Sequence, residues 1–195
     1  MIDFSPVQKN EMKLADLANQ VSKEDLLNSS NESIDRILAL LSDATDADIV
    51  FDPTDEGAND PYAAEGEETI GWSLGHLIAH VTASSEEGAA FSSILARGHA
   101  LSERPRYETP WRDITTVAQC VQRLEESRRM RNAYLETWPD QPHLNVIRGG
   151  MSEGFVNWTG PLNAIGCFLL GLGHELGHFS QMEEVKSQAA AARAA

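Results

Sequence analysis

Cysteine is scarce in this chain of 195 residues, which contains only Cys120 and Cys167. The two lie far apart, and neither has a further cysteine or a histidine beside it at metal-ligand spacing. This pattern argues against a disulfide framework of the kind that stabilises small secreted domains. We therefore predict two reduced, buried thiols in a cytoplasmic protein.

Basic residues are also few. Lysine and arginine together number 15 against 30 aspartates and glutamates, which gives a formal net charge of −15. An electrostatic field of this sign repels phosphate backbones and anionic lipid. We therefore expect neither nucleic acid nor a membrane as a partner.

Hydrophobic runs are short throughout the chain. The longest, from Ile165 to Leu172, is far below the roughly 20 residues that a membrane-spanning helix requires. The first residues, Met-Ile-Asp-Phe-Ser-Pro, show no basic segment followed by an apolar one, so no secretory signal is predicted. The alternation of apolar and polar residues that marks a β-strand is absent over any useful length.

Apolar residues recur instead at steps of three and four, which predicts an all-α fold with four long helices. Ser22 can cap the first helix, and a proline at Pro161 is tolerated in the first turn of the last. The predicted helices cover residues 22–42, 72–97, 116–138 and 161–188, with a short one near 12–21. We expect a single domain over 1–195, with its core at 22–188 and an alanine-rich tail at 189–195.

Two long segments between these helices have the composition of solvated connections. Residues 43–70 are rich in acidic residues, among them Asp43, Asp48 and Asp60, and also contain proline and glycine. The spacing and terminal glutamate of an EF-hand are missing, so calcium is not expected. Residues 139–160 are rich in proline and glycine and are also predicted to be a connection.

The sequence His-Glu-Leu-Gly-His, from His174 to His178, is the most informative motif. Residues four apart lie on one face of a helix, so the two imidazoles can bind one metal ion. The same five residues are the zinc-protease signature, in which the intervening Glu175 is the general base. The two interpretations differ in where a third ligand comes from.

A zinc protease would take its third ligand from downstream of this motif. The extended signature needs a glycine and a histidine at positions that here hold Gln181 and Glu184. Beyond Val185 the remaining chain looks too short to supply a glutamate from another helix, and no sheet is predicted ahead of the motif. A third protein ligand is therefore expected upstream.

Four histidines are available upstream: His76, His80, His99 and His143. His76 and His80 form a second pair four residues apart, so spacing alone would allow either. At 100° per residue His80 lies about 60° from the apolar residue Leu77, whereas His76 lies about 100° away. His80 is the better inward-facing candidate, and His76 is expected at the boundary or as a partner of a ligand. Three inward histidines would be costly to bury alone, and one metal ion satisfies all of them.

Together these features resemble the DinB-like (DinB/YfiT) family of metal-binding four-helix bundles. The resemblance covers residues 22–188. The residues that carry it are the Trp72-Ser73-Leu74 start of the second helix, His80 eight residues after Trp72, and His174, His178 and Gln181, followed by Glu183 and Glu184.

The resemblance implies zinc or nickel bound by His80, His174 and His178. Family members of known activity use a low-molecular-weight thiol: mycothiol-dependent maleylpyruvate isomerase and the bacillithiol or mycothiol S-transferases. A thiol transferase acting on a small molecule is therefore expected, as a homodimer. Two alternatives remain open, a metal-bearing stress-response bundle without turnover and a metallopeptidase using Glu175.

Further side chains have two possible roles each. Glu175 is expected to point to a neighbouring helix or to solvent rather than to act in catalysis. Trp158 and Asn157 are expected to pack in the core or a loop, although they could line the mouth of the site. Four arginines could bind the carboxylates of a thiol, but glutamates three or four residues before two of them favour surface ion pairs. These are Arg123, Arg128, Arg129 and Arg131.

Overall fold

The computed structural model describes residues 1–59 and 65–194, and this part of the chain forms helices and no strand. The expected all-α class is confirmed. The helices are α1 (Ser5–Gln8), α2 (Leu14–Ala18), α3 (Lys23–Leu40), α4 (Asp46–Ile49), α5 (Leu74–Ala96), α6 (Val117–Glu136), α7 (Glu153–Thr159), α8 (Ala164–Gly177) and α9 (Phe179–Ala194), with a 3₁₀ turn at Trp111–Asp113.

Helix α5 is the centre of the bundle and packs chiefly against α8 and α6. Its contact with α8 is close because two glycines face each other there. A Cβ atom at Gly88 would lie 2.6 Å from the carbonyl oxygen of Cys167, and one at Gly171 would lie 2.7 Å from that of Ser84. Both distances are too short for any side chain, so these glycines set how closely α5 and α8 approach.

The long helices begin at side-chain caps that the sequence encodes. The Ser22 side chain accepts a hydrogen bond from the backbone N–H of Asp25 at 3.1 Å, and the Asp25 carboxylate accepts from the backbone of Ser22 at 2.9 Å. Thr116 and Gln119 form the same reciprocal arrangement at the start of α6. Such caps satisfy amide donors that the first helical turn leaves unpaired. The prediction of a cap at Ser22 is confirmed.

The last helix differs from the prediction of one segment over 161–188. It begins three residues after Pro161, because the side chain of Asn163 caps the backbone N–H of Gly166 at 3.0 Å. It is interrupted at His178, whose backbone N–H donates to Glu175 three residues back, at 3.1 Å. Beyond this turn α9 continues to Ala194 rather than ending at a tail, and Ala189 is buried.

The two predicted connections contain helices that periodicity does not reveal. Helix α4 interrupts 43–70, where Ile49 is fully buried and the side chains of Thr45 and Asp48 cap the turn. Helix α7 interrupts 139–160, with Ser152 as its cap. Asp60 lies outside the described residues. Both helices are too short to show a repeating apolar face.

The prediction of one short helix near 12–21 corresponds to α2, and α1 is a further short helix that precedes it and was not predicted. The two cysteines are free and buried, as the composition predicts. Burial raises the pKa of each thiol to about 12.

No single helix of the described residues is long and apolar enough to cross a membrane, although one pair bent by 89°, Glu153–Thr159 with Ala164–Ala194, has the length and composition to do so.

Candidate metal centre

Three imidazoles meet where α5 faces the junction of α8 and α9. The Nε2 atom of His174 lies 3.3 Å from Nε2 of His80 and 3.4 Å from Nε2 of His178. His80 on α5 and His174 on α8 are separated by 94 positions in the chain. The ligand atoms of these three side chains all lie within 4.8 Å of one another, close enough to hold one metal ion.

The spacing of these nitrogens fits a tetrahedral ion. Zinc–nitrogen bonds of about 2.0–2.1 Å at tetrahedral angles would separate the nitrogens by about 3.3–3.4 Å, whereas right angles would give about 2.9 Å. Two neutral imidazoles cannot both direct a lone pair at each other without repulsion. A cation between the three nitrogens removes that conflict, so the donor set suits a divalent metal.

Neighbouring oxygens orient two of the rings. The Nδ1 atom of His178 lies 2.8 Å from the amide Oε1 of Gln181, and Nδ1 of His80 lies 3.7 Å from Oε1 of Glu108. A proton held on Nδ1 leaves the Nε2 lone pair free for a metal. Gln181 therefore takes part in the site as a partner of His178, whereas Glu108 had no sequence signal beyond being one acid among 30.

The surroundings keep two of the three imidazoles neutral before any metal binds. Burial of the ring lowers the pKa of His174 to about 3, and positive charge on His178 or His80 would lower it further. Burial also lowers the pKa of His178. The pKa of Glu108 falls to about 2, because hydrogen bonding to His80 and Arg106 outweighs the opposing effect of its burial. At neutral pH His174 and His178 are therefore neutral, and Glu108 beside the centre is ionised.

The prediction that His174 and His178 face the core is wrong. His174 is exposed to an open cavity and His178 is half-buried, whereas the residue between them, Glu175, is only 1% exposed. The ring of His174 still lies among the other two imidazoles, which explains its depressed pKa despite the exposed residue surface. On α8, His174 thus belongs to the metal centre at the cavity, whereas the next residue, Glu175, points into the core.

Glu175 is held by a buried polar network. Its carboxylate pairs with the guanidinium of Arg131 at 3.1 and 2.8 Å and accepts hydrogen bonds from the hydroxyls of Ser33 and Ser85. The expectation that Glu175 points to a neighbouring helix agrees with this placement. The surface role expected for Arg131 is wrong, since this side chain is fully buried.

The other arginines of α6 behave differently. Arg123 pairs with Glu86 and Glu126, and Arg128 pairs with Asp35 and Glu125. These ion pairs agree with the interpretation from spacing. The arginines near the metal centre are a different set, on the segment between α5 and α6 and before α7.

A cavity of about 1360 Å³ opens beside His80 and His174, whereas His178 is not among its lining residues. The lining includes His80, Ser84 and Glu87 of α5 and apolar residues such as Phe4 and Phe155. The sequence did not single out the charged residues that line it, because Glu87 is one of several polar residues on α5 and the others lie outside the long helices without a motif. They are Glu67, Glu87, Arg104, Arg106, Glu108, Arg112 and Arg148.

Two aromatic predictions have opposite outcomes. The ring of His76 is stacked between Trp72, at a centroid distance of 4.5 Å, and Trp111, at 4.6 Å. It therefore lies beside the centre, as expected for a boundary residue. Trp158 is 51% exposed and lines the cavity, so the predicted packing role is wrong. Asn157 is exposed.

The fold and this site define a helical bundle with a three-histidine centre at the edge of a large cavity. The family model of the DinB superfamily matches residues 31–182. The chain belongs to the DinB superfamily. No curated protein and no solved structure matches the chain.

Proposed function

We propose that this protein is a metal-dependent enzyme that joins a low-molecular-weight thiol to a small molecule, with zinc or nickel bound by His80, His174 and His178. The observation that carries the proposal is the convergence of three Nε2 atoms, at 3.3 and 3.4 Å, beside a large cavity that His80 and His174 line. Tetrahedral spacing favours zinc over nickel.

A divalent ion held by three neutral ligands would supply an open coordination position, where a thiol loses its proton more readily than in water. The protein residues provide the arrangement around that position. Glu108 and Gln181 hold the proton on Nδ1 of His80 and of His178, so that both Nε2 atoms remain free to bind. The pKa of about 2 keeps Glu108 ionised, so it orients His80 rather than carrying a proton.

The cavity supports a small-molecule substrate. It combines apolar walls with a few charged groups, which is typical of ligand sites, and it borders both His80 and His174. The peptidase alternative is disfavoured because Glu175, the base it requires, is buried against Arg131 and turned away from the histidines.

The test measures metal content and thiol consumption in the same preparations. Wild type should contain about one metal per chain and should conjugate an electrophile such as monochlorobimane with one of cysteine, glutathione, bacillithiol or mycothiol. His80→Ala and His178→Ala should lose both properties together. His143→Ala is the matched control, because His143 lies at an exposed position against Gly98.

Two results would overturn the proposal. Variants that lose the metal but still conjugate would show that the metal has no part in the reaction. A metal-loaded wild type that consumes none of the four thiols would favour a bundle without turnover.

A further inference from the structure

One face of α5 connects the three-histidine centre to a second polar cluster. His80, Ser84 and Glu87 follow one another along this face, and all three line the cavity. At 100° and 1.5 Å per residue, Glu87 is within about 20° of His80 around the helix and about 10 Å further along it. A small molecule in the cavity can therefore reach both places at once.

Three guanidinium groups surround the Glu87 carboxylate. Arg104 donates two hydrogen bonds to it, each of 2.7 Å. Arg106 and Arg148 each approach a carboxylate oxygen only to 3.6 Å. Glu87 is 5% exposed, and the side chains of Arg106 and Arg148 are also mostly buried, whereas that of Arg104 is exposed.

Two of these guanidinium groups bind Glu87 only loosely. Arg106 pairs with Glu108 and donates a hydrogen bond to the Ser84 hydroxyl at 2.8 Å, and Arg148 reaches no carboxylate of the described residues more closely than the 3.6 Å to Glu87. The Nε atom of Arg148 is buried without a hydrogen-bond partner among the described residues, while its guanidinium lies 3.9 Å from the ring centre of Phe91. A protein with a net charge of −15 thus places guanidinium donors in the lining of this cavity.

We propose that the arginine cluster, defined as Arg104, Arg106 and Arg148, binds an oxyanion of the substrate. The reacting end of that molecule lies at the three histidines, about 10 Å away, an assignment that rests on the proposed function. Guanidinium groups bind carboxylate and phosphate through charge-assisted hydrogen bonds, and Arg148 offers an Nε–H without a partner among the described residues. The substrate class is an amphiphilic molecule with one terminal carboxylate or phosphate.

Anion binding can be measured without metal or thiol. Calorimetric titration of metal-free protein with hexanoate, hexyl phosphate and hexanol compares chains of one length with different end groups. At least one anion should bind about tenfold or more tightly than hexanol, the difference expected for a charge-assisted hydrogen bond. The tighter anion identifies the end group. Equal affinities for all three compounds would overturn the inference.

Two variants with opposite expected effects separate binding from structure. Arg148→Gln should remove most of the preference for the anion. Glu87→Gln should strengthen anion binding, because it removes the internal carboxylate that competes for the same donors. Arg97→Gln, which changes charge equally at an exposed position, should behave as wild type. Weakening by both Arg148→Gln and Glu87→Gln would indicate a structural role only and would overturn the inference.

A variant at the exposed Arg104 tests the cluster if Arg148→Gln or Glu87→Gln does not fold. The Arg104 side chain is 61% exposed, so Arg104→Gln should fold and should also weaken anion binding. An unchanged anion preference in this folded variant would count against the cluster.

The final comparison separates this inference from the proposed function. Cobalt-loaded protein is titrated with 6-mercaptohexanoate and with 6-mercaptohexanol while the visible absorption of the metal is followed. Tighter binding of 6-mercaptohexanoate than of 6-mercaptohexanol supports both proposals. If both thiols alter the spectrum equally, the metal binds thiols as proposed, but the arginine cluster does not bind the carboxylate. If neither thiol alters the spectrum while hexanoate or hexyl phosphate still binds the metal-free protein, the proposed function fails and the anion site stands.

Discussion

The carboxylate of Glu175 and the guanidinium of Arg131 form an ion pair in which both side chains are fully buried, with Nη2 and Oε2 2.8 Å apart. The pair joins α8 to α6, and the hydroxyls of Ser33 and Ser85 add α3 and α5 to the same network. The glutamate of a motif that resembles a protease signature is thus used to hold four helices together.

Breaking this pair should destabilise the fold. Glu175→Gln leaves Arg131 charged and uncompensated, which typically costs about 3–5 kcal/mol in the free energy of unfolding. Replacing both partners, as Glu175→Leu with Arg131→Met, should recover much of this loss because no charge is left buried. Urea denaturation of metal-free protein measures both effects, with the exposed Glu183→Gln as control. Equal losses in the single and double variants would contradict the assignment.

The protein should not cleave casein or peptide substrates at any metal loading. The residue that would activate water is buried in the ion pair and cannot reach a substrate in the cavity. Release of labelled peptides is the measurement. Proteolysis that requires metal and disappears in a folded Glu175→Gln variant would show that this prediction is wrong.

Glu108→Gln should weaken metal binding without abolishing it. The substitution keeps the size of the side chain but removes the charge beside Nδ1 of His80, and loss of such a partner typically costs about 10–100-fold in metal affinity. Competition with a chromophoric chelator measures the affinity. The exposed Glu103→Gln variant should bind as wild type. Equal affinities of Glu108→Gln and wild type would mean that Glu108 does not position His80.

The stability of metal-free protein should fall as the pH is lowered below about 6.5. The pKa of His174 is about 3 in the folded protein against 6.5 for an ordinary histidine, so in this window the unfolded chain binds more protons. Stability rises with pH wherever the unfolded state binds more protons, so it must be lost as pH decreases from 6.5 towards 3.

Urea midpoints measured between pH 7 and about 5 check this expectation. His174→Asn should show a shallower decrease than wild type, because the variant has no group at this position that titrates. The depressed pKa of Glu108 adds a loss only at lower pH, below its ordinary value of 4.5. A wild type and variant with identical pH profiles would contradict the role of His174.

The amino-acid sequence was sufficient for the features that depend on neighbours along the chain. The helical class follows from apolar residues at three- and four-residue steps, and the cap at Ser22 from residues within one turn. The nearness of His174 and His178 follows in the same way, since residues four apart share a helical face even where the helix tightens at its end. The choice of His80 over His76 as a ligand depends on a rotation of about 40° around one helix and stays a prediction.

Only the tertiary structure decided which of these faces is buried. The approach of α5 and α8 at Gly88 and Gly171 brings His80 to His174, and no local pattern specifies that distance. The same packing turns Glu175 inward to Arg131 and leaves His174 open to the cavity, the reverse of the prediction that the two histidines point inward. A buried charge is stable only when its partner is in place, and that partner lies 44 positions away in the chain, where sequence periodicity carries no information about it.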